Sequence, residues 1–179
     1  MTSGGARGEP IAQALAGGSP RSLGRTGEVI DRVLGAPEQL DELFVCLFDA
    51  DEVVRMRAAD ALEKVCREQP GRLEPYVGRL LDEVSKIDQP SVRWHLAQML
   101  AETDLTGAER DRAVAILMGN LNQSDDWIVI NCTLDSLAAF ARAGWITRRR
   151  ITSALRRFEG DRRKSVASRA RRLLAEFSE

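Results

Sequence analysis

Residues 47–65 read LFDADEVVRMRAADALEKV. Val54, Ala58, Ala61, Leu62 and Val65 recur at helical spacing, so this stretch predicts a helix with one apolar stripe. Asp51 stands just ahead of the stripe, where a carboxylate can accept the free N–H groups of a first helical turn. Upstream, Leu40, Leu43, Phe44 and Leu47 follow the i, i+3, i+4, i+7 pattern. The stretch is therefore the second half of a pair of amphipathic helices.

Working outward, a step of 37 residues carries the first face onto Val77, Leu80, Leu81 and Val84, then onto Val114, Leu117, Met118 and Leu121, then onto Ile151, Ala154, Leu155 and Phe158. All sixteen positions are apolar in a chain that is 44% hydrophobic, which chance does not supply. The second face maps onto Val92, Leu96, Met99, Leu100 and Thr103; then Val129, Thr133, Ser136, Leu137 and Phe140; then Val166, Ala170, Leu173, Leu174 and Phe177. Thr103, Thr133 and Ser136 are tolerable there because a hydroxyl can bond back to the preceding turn. Asp51, Asp88, Asp125 and Asp161 are the expected openers of the four second helices.

Breakers fall between these segments. Pro70-Gly71 separates the first pair from the second, Pro90 suits a first helical turn, Thr106 and Glu109 have capping-box spacing, and Gly144 suits a left-handed helix end. Thr26 to Leu34, with Val29, Ile30, Val33 and Leu34, reads as a short capping helix ended by Gly35-Ala36-Pro37. The expectation is nine helices in an all-α domain over 26–179: a cap at 26–35 and pairs at about 37–70, 71–104, 106–143 and 147–178. Residues 1–25 are rich in Gly, Ala and Ser, lack the continuous apolar segment of a secretory signal, and read as a flexible tail.

The 47–65 stretch resembles the HEAT repeat, through Leu47, Asp49, Val54, Arg55, Ala59, Ala61 and Leu62. Val92, Arg93, Ala97 and Leu100 continue the resemblance, as do Val129 and Leu137, then Val166, Ala167 and Leu174. It implies a right-handed α-α superhelix, an armadillo-like solenoid of four HEAT-like pairs whose second helices line a concave, partner-binding side. In such arrays the turn Asp and the helix Arg can bond between successive repeats. Ile130 replaces the Arg in the third repeat, so a ladder of this kind is expected only between the first two.

On a helical wheel the direction opposite the second-helix stripe is occupied by positions 56, 60 and 63 and their equivalents. The expected groove columns are Met56, Trp94, Asn131 and Ser168; Asp60, Gln98, Asp135 and Arg172; and Glu63, Ala101, Ala138 and Ala175. The candidate contact residues are Met56, Asp60, Trp94, Gln98, Asn131 and Asp135, with Trp94 either the anchor or a cover for neighbouring helix stems. Trp127 and Trp145, at helix ends, read as hydrophobic plugs. His95 shares a boundary column with Arg57, Cys132 and Arg169 and reads as structural, since no second histidine exists to build a site.

Net charge is −1, but it is unevenly spread. Residues 142–179 hold twelve Arg/Lys against four Asp/Glu, net +8, whereas the preceding 141 residues hold fourteen against twenty-three, net −9. The basic end could grip an anionic partner through Arg148, Arg149, Arg150, Arg162, Arg163, Lys164 and Arg172, or simply give the last repeat a solvated face. Three cysteines without a Cys-x-x-Cys spacing support neither a disulfide framework nor a metal site, so no metal or cofactor is expected and the thiols suit a reducing cytoplasm. Together these features predict a non-catalytic, bacterial-type scaffold that binds a protein or peptide, as a monomer or weak homodimer, with no membrane role. The alternative is nucleic-acid binding, since the alkylation-repair glycosylases are also built from HEAT-like repeats and use Trp and Asp at the damaged base, residue types present here as Trp94, Asp125, Asp126 and Trp127.

Overall fold

A computed structural model describes residues 8–19 and 21–177. Among them are ten α-helices and no strand: α1 (Ile11–Leu15), α2 (Thr26–Gly35), α3 (Leu40–Val45), α4 (Glu52–Glu68), α5 (Val77–Asp82), α6 (Pro90–Glu102), α7 (Gly107–Gln123), α8 (Trp127–Arg142), α9 (Arg148–Arg156) and α10 (Lys164–Phe177). The starts of α4, α6, α8 and α10 are 38, 37 and 37 residues apart, the same steps that relate the apolar faces. Pro37 and Pro75 each sit in the first turn of a 3-10 segment, so α3 and α5 are six residues long where α7 has seventeen. A proline has no N–H to offer a helix carbonyl, and the chain tightens around it.

The chain divides into two compact units at the Pro70-Gly71 breaker, one ending at Gln69 and the other beginning at Pro70. In the first, α2 packs on α4 and α1, and α1 also touches α3 and α4. Here the structure corrects the sequence reading: Ile11, Ala14 and Leu15 are buried in α1, so the segment from Ile11 onward is part of the core and the helix count rises by one. The remainder of the expected tail, residues 1–7, lies outside the described residues.

In the second unit α8 is central, touching α6, α7, α9 and α10, while α5 lies against α7. Of the sixteen first-face positions fifteen are buried; Met118 is half-exposed. All twenty second-face positions are buried. The hydroxyls of Thr103 and Ser136 bond back to the carbonyls of Met99 and Cys132, at 2.7 and 2.9 Å, and Ser136 also donates across to Ala97 at 2.7 Å. Thr133 does not follow them: its Oγ1 is buried without a hydrogen-bond partner.

Helix ends are built largely as their residues dictate. Glu109 accepts from the Thr106 N–H and hydroxyl at 2.8 Å, closing a capping box at the start of α7. Gly144 takes a φ of 75°, its N–H bonds Ala141 O at 3.1 Å, and the Trp145 N–H bonds Phe140 O at 2.9 Å, a Schellman end to α8. Three openers differ, two of them by one residue; Asp161 lies three residues ahead of α10 and accepts the Arg163 N–H at 2.8 Å. Asp126, not Asp125, caps α8 by accepting from the Ile128 and Val129 N–H groups, and Gln89 rather than Asp88 precedes α6, whose Pro90 leaves one N–H fewer to cap.

Candidate functional site

The wheel direction opposite the core stripe is covered unequally along the chain. In α4, which receives α1, α2 and α3, ten of seventeen residues are buried. Asp60 is 7% exposed and ion-paired with Lys64, and Glu63 is buried against Arg67, so neither opens onto a groove. This corrects their expected solvent-facing role: a helix packed by three neighbours keeps no free half-cylinder. Met56, on the same helix, is half-buried. In α8 the expected groove residues Asn131, 6% exposed, and Ala138 are likewise buried and do not face solvent, whereas on the outermost helix α10 Ser168, Arg172 and Ala175 stay exposed.

Four of the six candidate contact residues lie on adjoining helices of the second unit: Trp94 and Gln98, one turn apart on α6, and Asn131 and Asp135, one turn apart on α8. The Ser136 bond to Ala97 fixes the register between the two helices. Trp94 is half-buried, with its ring centroid 5.6 Å from that of His95. Gln98 Oε1 and Asn131 Oδ1 are buried without a hydrogen-bond donor. A buried amide oxygen without a donor is disfavoured by about 1–3 kcal/mol, so two on neighbouring helices are unusual in a packed domain. Asp135 is half-buried, pairs with Arg169, and lies 3.6 Å from Arg172 Nη2. Burial raises its carboxyl above the ordinary value, and the facing Arg169, Arg172 and Arg142 oppose that rise.

The basic end separates into two sets. Most of the partnered set is on α10 or at its approach: Arg163 pairs with Asp161 at 2.7 Å and donates to Asp125 O at 2.6 Å, Arg172 and Arg169 face Asp135, and Arg142 on α8 pairs with Glu176. The Arg163 bond joins the third repeat's turn to the fourth repeat. A cross-repeat tie therefore exists where the sequence pattern expected none, because the guanidinium comes from the approach to α10 rather than from the helix position that Ile130 fills. The other set is Arg149 and Arg150 at the head of α9, which are exposed, as are their neighbour Arg148 and, farther on, Arg162 and Lys164. Arg149 and Arg150, together with Arg157, line an open pocket of about 660 Å³.

The aromatic residues are sorted differently from expectation in one case. Trp145 is a plug, with its ring 4.7 Å from Phe140 and beneath the Arg110 guanidinium at 4.2 Å. Trp127 is no plug: it is 51% exposed at the first turn of α8, directly after the capping Asp126. Two thiols are poor nucleophiles: burial pushes Cys46 and Cys132 up to about 11. No helix among the described residues is long and apolar enough to cross a membrane.

Sequence reasoning placed Arg57 on a boundary column and missed its role. It is 1% exposed and donates to main-chain oxygens of Leu15, Gly17, Ser19 and Ser22. The one available signal was Ile11, Ala14 and Leu15 at i, i+3, i+4, which marks the segment before Thr26 as able to pack. Compared with family models, with curated proteins and with solved structures, the chain has no match.

Proposed function

We propose that the chain is a non-catalytic HEAT-like solenoid that binds a protein or peptide segment through the side formed by α6 and α8. The observation that carries this reading is the half-buried Trp94, one turn from the half-buried Gln98 on α6 and on a helix that adjoins α8 with its half-buried Asp135. Trp94 supplies a large, stiff contact surface for little entropy loss. The indole face attracts a cationic or amide group of the partner.

The test is capture of partners from the native cell by the tagged chain, followed by the same capture with Trp94→Ala. The variant is expected to lose about 2 kcal/mol of binding, roughly thirty-fold in affinity, with unchanged far-UV circular dichroism. Equal recovery by the two proteins would remove this face from consideration.

A further inference from the structure

The pocket beside α9 has an unusual wall. Arg149, Arg150 and Arg157 line it with the hydroxyl-bearing Thr147 and Ser153, no carboxylate is among its lining residues, and Met118 of α7 contributes an apolar patch. Met118 occupies a register position that is buried in each of the other three repeats, and here it is half-exposed into this opening. Arg149 and Arg150 make no ion pair among the described residues, and Arg157 lies over the Phe158 ring at 5.6 Å. Arg142, Arg163, Arg169 and Arg172 are by contrast engaged with Glu176, Asp161 and Asp135.

The placement of these charges is locally unfavourable. Arg148, Arg149 and Arg150 fill the first turn of α9, which has no acidic residue, although the exposed N–H groups at a helix start favour anions and disfavour cations. A local arrangement that opposes the helix becomes consistent once an anion sits among the guanidiniums.

We infer that this pocket is a phosphate-monoester site that takes the phosphorylated side chain of a partner protein. A phosphate dianion offers three acceptor oxygens to the planar forks of three arginines, with two hydroxyls beside them. At about 660 Å³ the opening has room for a phosphorylated side chain together with part of the segment that carries it. A nucleic-acid strand suits it less: the lining has no aromatic ring on which a base could stack, and the paired arginines of α10 do not extend it into a continuous positive track. The site is separate from the α6 and α8 face and does not depend on that assignment.

The experiment uses the full chain and a degenerate phosphoserine and phosphothreonine peptide pool, with the same pool unphosphorylated, inorganic phosphate and a DNA oligonucleotide as comparisons. The phosphorylated pool is expected to be retained over the unphosphorylated one, to be displaced by inorganic phosphate, and to bind more tightly as pH rises through about 6, where the monoester becomes a dianion. Arg150→Gln with Arg157→Gln should weaken retention by about tenfold or more. Arg162→Gln with Lys164→Gln removes the same charge from exposed positions outside the pocket and should change it by less than about twofold. The proposal is overturned by equal retention of the two pools, by equal loss in the two double variants, by tighter binding to the oligonucleotide, or by binding of inorganic phosphate alone.

Discussion

The Arg57 guanidinium reaches main-chain oxygens of Leu15, Gly17, Ser19 and Ser22 at 2.6 to 3.1 Å, thirty-five to forty-two residues away in sequence. A charge this deep needs each of its N–H groups satisfied, and here neutral carbonyls provide that. Arg57→Met would leave the carbonyls without donors and should lower stability by about 3 kcal/mol or more, read as a fall in the urea midpoint. Gly24 closes the same cage. Its φ is 52°, and a Cβ there would lie 2.9 Å from Arg57 Cζ, whereas Gly17, at φ 72°, has nothing within 4 Å. Gly17→Ala should therefore cost only the left-handed strain of about 1–2 kcal/mol, and Gly24→Ala measurably more. Equal losses in thermal melts would mean that the cage yields. None of this was legible on the helical wheel, which placed Arg57 on a boundary column, because periodicity records which way a side chain points and not what distant segment folds over it.

At the level of helices, the sequence is a close guide to starts, stops and buried faces. Capping boxes, Schellman glycines and first-turn prolines act within one turn, so Thr106, Gly144 and Pro90 could be read directly, and the errors at Asp88, Asp125 and Asp161 are shifts of one or two residues. The approach to α10 shows a different contribution. Asp161 accepts the Arg163 N–H at 2.8 Å and pairs with the Arg163 side chain, which holds its carboxyl near 2 rather than the usual 3.8. A carboxyl depressed on folding stabilises the native state above its unfolded value, and the effect is lost as pH falls toward the folded one. Asp161→Asn should accordingly melt at lower temperature than the parent at pH 7, and the difference should vanish near pH 2. A gap that persists unchanged in acid would show that the ion pair is not its source.

For the molecule as a whole, the repeat step was readable over its full length, but which directions remain open was not. Asp60 and Asn131 sit at register positions facing away from the core stripe and are buried all the same, since exposure is decided by how many neighbours a helix has. The basic end illustrates the same point: counting gave +8, and pairing reduced the uncommitted part near the pocket to a few arginines of α9. The position of the dividing line at Gln69 and Pro70 has a further effect. All three tryptophans and the only tyrosine, Tyr76, follow that line, so the first unit contributes no indole or phenol chromophore. Intrinsic emission therefore follows the second unit alone, while the far-ultraviolet amide signal follows both. If the two units melt as one, the curves recorded by these signals will superimpose. If they melt separately, the Arg57→Met variant will shift the amide curve and leave the emission curve in place, and Trp127, which is 51% exposed where Trp94 and Trp145 are more covered, will be the indole that a soluble quencher reaches first.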